Sequence, residues 1–229
     1  MLIETFGYDQ SLYTGYALGR PGPAGVEFVP FVGEPRLPNL DYVFSAKTPQ
    51  RAGVEFDALL LWGQDENFYE WSSADIVFLN VGAAWKPTEK LRVDARYQLQ
   101  SFCRRTDDSI VGIRRIPRVK TEYQISRSIF VRVVGEYNSD RQDALRDDSR
   151  TNLPIYIRNG ATGAYERAVA THTRSFRADW LFSYQPTPGT VLFAGYGNTL
   201  ENVDNDRRTS SLRRTTDGFF LKVSYLFRL

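Results

Sequence analysis

The sequence predicts an all-β fold: an antiparallel transmembrane β-barrel of about eight to ten strands, either whole or part of a larger barrel. Three observations predict it. Long segments alternate between apolar and ionic residues, their connections alternate between short and long, and aromatic residues gather near the segment ends.

Composition bounds the reading. Aromatics make up 14% of the 229 residues, with 13 Tyr and 15 Phe against one Met and one Cys, a bias toward strand formers. Mean hydropathy is negative. No apolar run approaches the ~18 residues of a helical span, but barrel strands are apolar only at alternate positions. With 29 basic and 27 acidic residues the net charge is +2, too even for a nucleic-acid-binding surface. Cys103, the one cysteine, has no partner for an intramolecular disulfide or a zinc site and reads as a packing residue. The first ten residues have neither the basic nor the apolar region of a secretory signal. The expectation is that Met1 is not the natural start or that the chain is a fragment.

Eight strands are expected after residue 50, at 51–63, 74–86, 90–104, 109–125, 128–138, 173–185, 189–199 and 216–229. In the first, Val54, Phe56, Ala58, Leu60 and Trp62 oppose Glu55 and Asp57. In the third, Leu91, Val93, Ala95, Tyr97 and Leu99 oppose Arg92, Asp94, Arg96, Gln98 and Gln100. In the fourth, an apolar-leaning odd set faces Arg114, Arg118, Lys120, Glu122 and Gln124. The fifth sets Ile129, Val131, Val133 and Tyr137 against Phe130, Arg132, Val134 and Glu136. The sixth sets Phe176, Ala178, Trp180, Phe182 and Tyr184 against Arg177, Asp179, Leu181 and Ser183. The last sets Phe219, Leu221, Val223, Tyr225, Phe227 and Leu229 against Phe220, Lys222, Ser224, Leu226 and Arg228. A soluble sandwich also alternates. These segments exceed its usual strands of about five or six residues and match the roughly nine to eleven needed to cross a bilayer.

Residues 40–229 are therefore assigned to the barrel strands and its C-terminus, with 40–47 as a ninth strand. Residues 1–39 form a weakly patterned segment with one or two short strands, because Gly19, Gly25, Gly33 and Pro38 interrupt the alternation. Tight turns are read at 48–50, 86–90, 126–128 and 185–189, and longer loops at 64–73, 104–109, 138–174 and 198–217. Short periplasmic turns alternating with long external loops characterise outer-membrane barrels. Trp62, Trp85, Tyr123, Tyr137 and Tyr184 fit interfacial girdles, the other reading being core aromatics of a soluble sheet.

The final strand resembles the C-terminal signal read by the barrel-assembly machinery at Lys222, Ser224, Phe227 and Leu229, with Ser224 in place of the usual Gly and Leu229 in place of the usual Phe. The runs 114–124, 130–137, 177–186 and 218–229 resemble the C-terminal barrel of a family of uncharacterised bacterial outer-membrane proteins. Members of that family carry a carbohydrate-binding, family-9-like domain ahead of the barrel. The resemblance spans roughly 40–229 and brings no catalytic motif. It implies a location in the bacterial outer membrane, with membrane lipids and the assembly machinery as partners. No such domain precedes the barrel here, which agrees with a fragment and leaves a glycan ligand open beside a polar solute.

Facing the lumen are expected Glu55, Asp57, Arg92, Asp94, Arg96, Arg114, Arg118, Lys120, Glu122, Arg132, Glu136, Arg177, Asp179, Lys222 and Arg228. Two readings stand side by side. Arginines lining a channel attract anionic or hydroxylated solutes; alternatively, mutual salt bridges plug a narrow barrel. A hydrolase is the disfavoured third class. His172, the only histidine, ends the longest loop and reads as solvated, and Asp107-Asp108 and Asp147-Asp148 lack calcium-loop spacing. No catalytic residue, metal or cofactor is expected. The Arg/Asp-rich stretches 140–150 and 204–214, with Tyr156 and Tyr165, keep open a surface barrel whose loops bind a partner. The expectation is a channel or receptor that passes a polar solute.

Overall fold

A computed structural model describes residues 2–202 and 211–225. Ten strands form one antiparallel sheet: β1 (Leu2–Gly7), β4 (Arg36–Lys47), β5 (Val54–Asn67), β6 (Ser72–Trp85), β7 (Leu91–Arg104), β8 (Ile110–Ser126), β9 (Ile129–Gln142), β12 (Thr171–Thr187), β13 (Thr190–Glu201) and β14 (Arg213–Tyr225). Four shorter strands form a second sheet in the order β11 (Tyr165–Arg167), β10 (Ile155–Arg158), β2 (Tyr16–Gly22), β3 (Gly25–Pro30). A 3-10 turn, Gln10–Tyr13, is capped by Asp9, whose carboxylate accepts from the Ser11 amide.

The eight strands expected after residue 50 and the ninth before it are all present within a few residues. The closed barrel is not. Among the described residues the large sheet is open, with β1 and β14 as its edges. The first strand is too short to match β14: it covers only Arg36–Asp41 of β4, leaving the rest of that strand without a neighbour on that side.

Two further expectations change. Before residue 40 there are three strands and the start of β4, in place of one or two. β1 belongs to the large sheet, and the segment 8–35 is an excursion from the β1–β4 hairpin into the small sheet. The expected long loops at 64–73 and 104–109 shrink to 68–71 and 105–109, because β5, β6 and β7 carry their pairing to the ends. They are no longer than the turns opposite, 48–53 and 86–90, so strict alternation of connection length fails for them. Among the described residues the long connections at that end are 8–35 and 143–170.

Those two connections build a cap. Tyr16–Ile157 and Leu18–Ile155 pairings join the N-terminal hairpin to the β9–β12 connection. Beneath them lies the hydrophobic core: Tyr13, Leu18, Phe31, Leu37, Trp71, Val111, Leu145 and Ile155 are buried together, with Phe6, Tyr8 and Phe102 against them. Tyr13 stacks on Tyr8 at 5.5 Å and tilts against Phe31 at 5.3 Å. Its hydroxyl donates to the Phe68 carbonyl, and burial pushes its pKa up to about 12. Trp71 is a left-handed residue at the β5–β6 turn whose indole N–H donates to the Glu34 carbonyl. The core thus lies at one end of the large sheet, not along it.

Candidate functional site

Side chains directly opposite on neighbouring strands share a face. The registers put every described residue of the expected lumen set on one face. Asp57 lies opposite Gly82, then in turn Arg96, Arg118, Glu136 and Arg177. In the next row Glu55 is followed by Ala84, Asp94, Lys120, Val134, Asp179, Gly197 and Gly218. Below it run Arg92, Glu122, Arg132, Leu181, Gly195 and Phe220. Arg114 sits opposite Gln100 and Asp140 higher up, and Lys222 sits opposite Phe193 near the other end. Arg228, Phe227 and Leu229 lie outside the described residues.

Most of these charges are matched. Arg92 holds Asp94 through Nε and Nη2, and Lys120 reaches Asp94 at 3.0 Å and Glu122 at 3.6 Å. Lys47 meets Glu55 at 2.8 Å, Arg118 meets Glu136 at 3.7 Å and Arg177 meets Asp179 at 2.9 Å. Arg96 reaches across β6 to Asp57 at 3.2 Å. That span requires Gly82: a Cβ there comes within 2.5 Å of the Asp57 carboxylate. Of the described residues of this set, Arg114, Arg132 and Lys222 take part in no ion pair; Arg114 donates from Nε to Asn138 Oδ1 at 3.3 Å, and Arg132 is half-buried.

Around Arg132 the face opens into a cleft of about 740 Å³. Arg118, Lys120, Arg132 and Arg177 face it with Asp179 as the only acid in its lining. Its far floor is β13 and β14, where Gly197 and Gly218 present no side chain and the Phe220 ring lies over Gly195. A cleft with an excess of guanidinium groups and one unmatched, partly desolvated arginine attracts anions.

The opposite face is apolar and uncovered. Phe56, Trp85, Val119, Trp180, Phe219, Leu221 and Val223 are between 47% and 72% exposed. The expected girdle residues Trp62, Trp85, Tyr123, Tyr137 and Tyr184 all lie on it by register. Contiguous exposed apolar surface beyond a few hundred Å² is unusual for a soluble monomer.

His172 departs from its expected place. It lies within β12, half-buried, with Nε2 3.1 Å from Ser139 Oγ and the Arg174 guanidinium against its ring. The paired acids of the loops are engaged in holding connections together: Asp107 with Ser109 and Arg146, Asp148 with Thr106 and Arg146, Asp147 with Thr151. Among the described residues no group of three His, Cys, Asp or Glu is arranged to hold a metal.

Sequence reasoning passed over the polar cluster beneath the cap, where Arg104 and Glu70 pair. Its one signal was a charged residue in a short connection, Glu70, and another, Arg104, at the end of a nearby strand. Comparisons of the chain with known protein families, with characterised proteins and with solved structures return no match.

Proposed function

We propose that the ten-stranded sheet is the wall of a transmembrane β-barrel in the bacterial outer membrane, passing a polar solute along its ionic face. The observation that carries this is the division of the large sheet into an exposed apolar face and an ion-paired face. Water has no reason to keep so wide a sheet of Phe, Trp, Leu and Val on the surface, whereas lipid does. Strand length agrees: β4 to β9 and β12 to β14 run from 12 to 17 residues, beyond the roughly nine to eleven that cross a bilayer. Barrel closure requires a further pairing at β14, whose direction is antiparallel to that of β1. Lipids and the barrel-assembly machinery, reading Lys222 and Ser224 in the last strand, are its partners. The reading has no chemical step.

The cap favours a second reading in which passage is shut or the cap itself is the receptor. Leu37, Ala74 and Ile76, at the upper end of the ionic face, are buried. Single-channel recording of the full chain refolded into planar bilayers decides between them. Ohmic steps support the channel. Insertion without conductance supports a cap-closed barrel, and folding in water without insertion sinks the membrane reading.

A further inference from the structure

Three arginines gather at one place on the apolar face. Arg115 on β8, Arg141 on β9 and Arg174 on β12 sit at the cap end of three adjacent strands. Arg115 lies opposite Ser139, which lies opposite Arg174; one step higher, Arg141 lies opposite His172. Neighbouring strands are about 4.8 Å apart, so the three arginine stems fall within about 10 Å of one another. All three point to the face that carries Tyr137 and Phe176, and those two residues lie opposite each other one step below, where the apolar band begins.

The cluster is built and unmatched. The Arg174 guanidinium rests on the His172 ring, with Nε 3.3 Å from Nε2 and Nη2 3.2 Å from Nδ1, and Ser139 Oγ meets the same Nε2 at 3.1 Å. Asn202 clamps the strand behind them, accepting from the Arg174 amide and donating to the His172 carbonyl. Yet among the described residues none of the three arginines has a carboxylate within ion-pair distance, in contrast to Arg92, Arg96, Arg118 and Arg177 on the other face. The neighbouring acid, Asp140, is the register partner of Arg114 and belongs to the ionic face. Three adjoining cations without an anion repel one another, and an anion of two or more charges relieves that.

We infer that Arg115, Arg141 and Arg174, with His172 and Ser139, form a binding site for the phosphate groups of membrane lipids in the leaflet on the cap side. The site rests on the membrane reading. Its position selects a lipid over a free anion: the guanidinium groups stand at the headgroup level just above the aromatic edge of the band, and acyl chains from the same lipid lie along Pro117, Tyr137 and Phe176. Arginine forks match phosphate oxygens, and the spread of the three suits a headgroup with two phosphates.

The test is native mass spectrometry of the full chain released from phosphatidylcholine vesicles doped with lipid A, a bis-phosphorylated glycolipid, or with its dephosphorylated form. Retention of the phosphorylated lipid over the dephosphorylated one is expected, falling roughly fivefold for each arginine changed to Gln. R115K/R141K/R174K is expected to recover part of it, while R132Q, on the other face, leaves it unchanged. Equal retention of both lipids, or no loss in R115Q/R141Q/R174Q, overturns the site while the membrane reading stands. Equally tight retention of inorganic pyrophosphate by detergent-solubilised protein, again lost in the triple variant, overturns the lipid as its ligand. Failure of the wild-type chain to enter the vesicles overturns the membrane reading and the site with it.

Discussion

Arg104 and Glu70 form a buried ion pair that bolts the cap to the large sheet: Nη2 lies 2.5 Å from Oε1 and Nε 3.0 Å from Oε2, with the side chains 1% and 0% exposed. The guanidinium spends its remaining donors on Ser109 Oγ, Asp143 Oδ2 and the Ala144 carbonyl, while Glu70 accepts from the Arg146 amide. One pair therefore ties the connections 68–71, 105–109 and 143–170 together. Arg104→Met leaves a buried carboxylate without its cation and is expected to cost about 3–5 kcal/mol of cap stability. The double change Arg104→Met with Glu70→Leu is expected to cost less, because no charge is stranded. Denaturant titration followed by proteolysis within 143–170 measures both, and a double variant weaker than the single one contradicts the account.

The same connections hold a pH-sensitive contact at the surface. Hydrogen bonds from Ser109 and the Arg146 guanidinium keep the Asp107 carboxyl well below the usual carboxylate range. Its folded pKa is depressed, so its contribution is fully present above the unfolded value of about 3.9 and is lost as pH falls through the folded one. Protection of the Ser109 amide, corrected for intrinsic exchange, is expected to stay level from neutral pH to about pH 4 and to fall only in stronger acid. Asp107→Asn removes that fall; a drop beginning near pH 6 in the wild type points to another group.

On the ionic face the two arginines Arg92 and Arg132 share a row and differ in company. Arg92 is already neutralised by Asp94, while Arg132 is not paired. In a conducting barrel, reversal potentials in a salt gradient are expected to show anion preference that Arg132→Gln reduces by roughly fivefold, the effect of about 1 kcal/mol from one unit charge near the solute path. Arg92→Gln is expected to change it less. Equal effects of the two substitutions, or a cation-preferring wild type, remove Arg132 from the path.

The alternation along each strand made the faces legible because it is local: Leu91, Val93 and Ala95 already oppose Arg92, Asp94 and Arg96 within one segment. The cap was not legible for the opposite reason. Its core joins Tyr13, Phe31, Leu37, Trp71, Leu145 and Ile155, drawn from segments far apart in sequence, several of them broken by Gly and Pro. Within the polar 138–174 stretch one signal was present: Leu153, Ile155 and Ile157 alternate, and those residues lie in or against that core. Pairing partners fix the ion pairs too. Asp57 and Arg96 each looked like lumen charges, but only the register, with Gly82 between them, brings them together. Closure was beyond local pattern altogether, since alternation describes a strand and not what lies beside the last one.

The apolar face offers the sharpest test of the solvent it meets. Val119 is 47% exposed in the middle of that face, flanked by Ala95 and Gly135 on the neighbouring strands. Neither of these two neighbours has a large side chain to shield it. In lipid, Val119→Arg puts a guanidinium among acyl chains and is expected to cost about 2–4 kcal/mol near the bilayer midplane. In water the same change at an exposed position lies within about 0.5 kcal/mol of neutral. Reversible unfolding from vesicles, read by heat-modifiable mobility, distinguishes the two environments. The adjoining Lys120→Gln is the control, since Lys120 points to the ionic face and its loss frees Glu122, while Arg92 still holds Asp94, without touching lipid. A large penalty for Val119→Arg with a small one for Lys120→Gln assigns the face to the bilayer; no penalty for Val119→Arg means that water covers it, and the barrel reading fails with it.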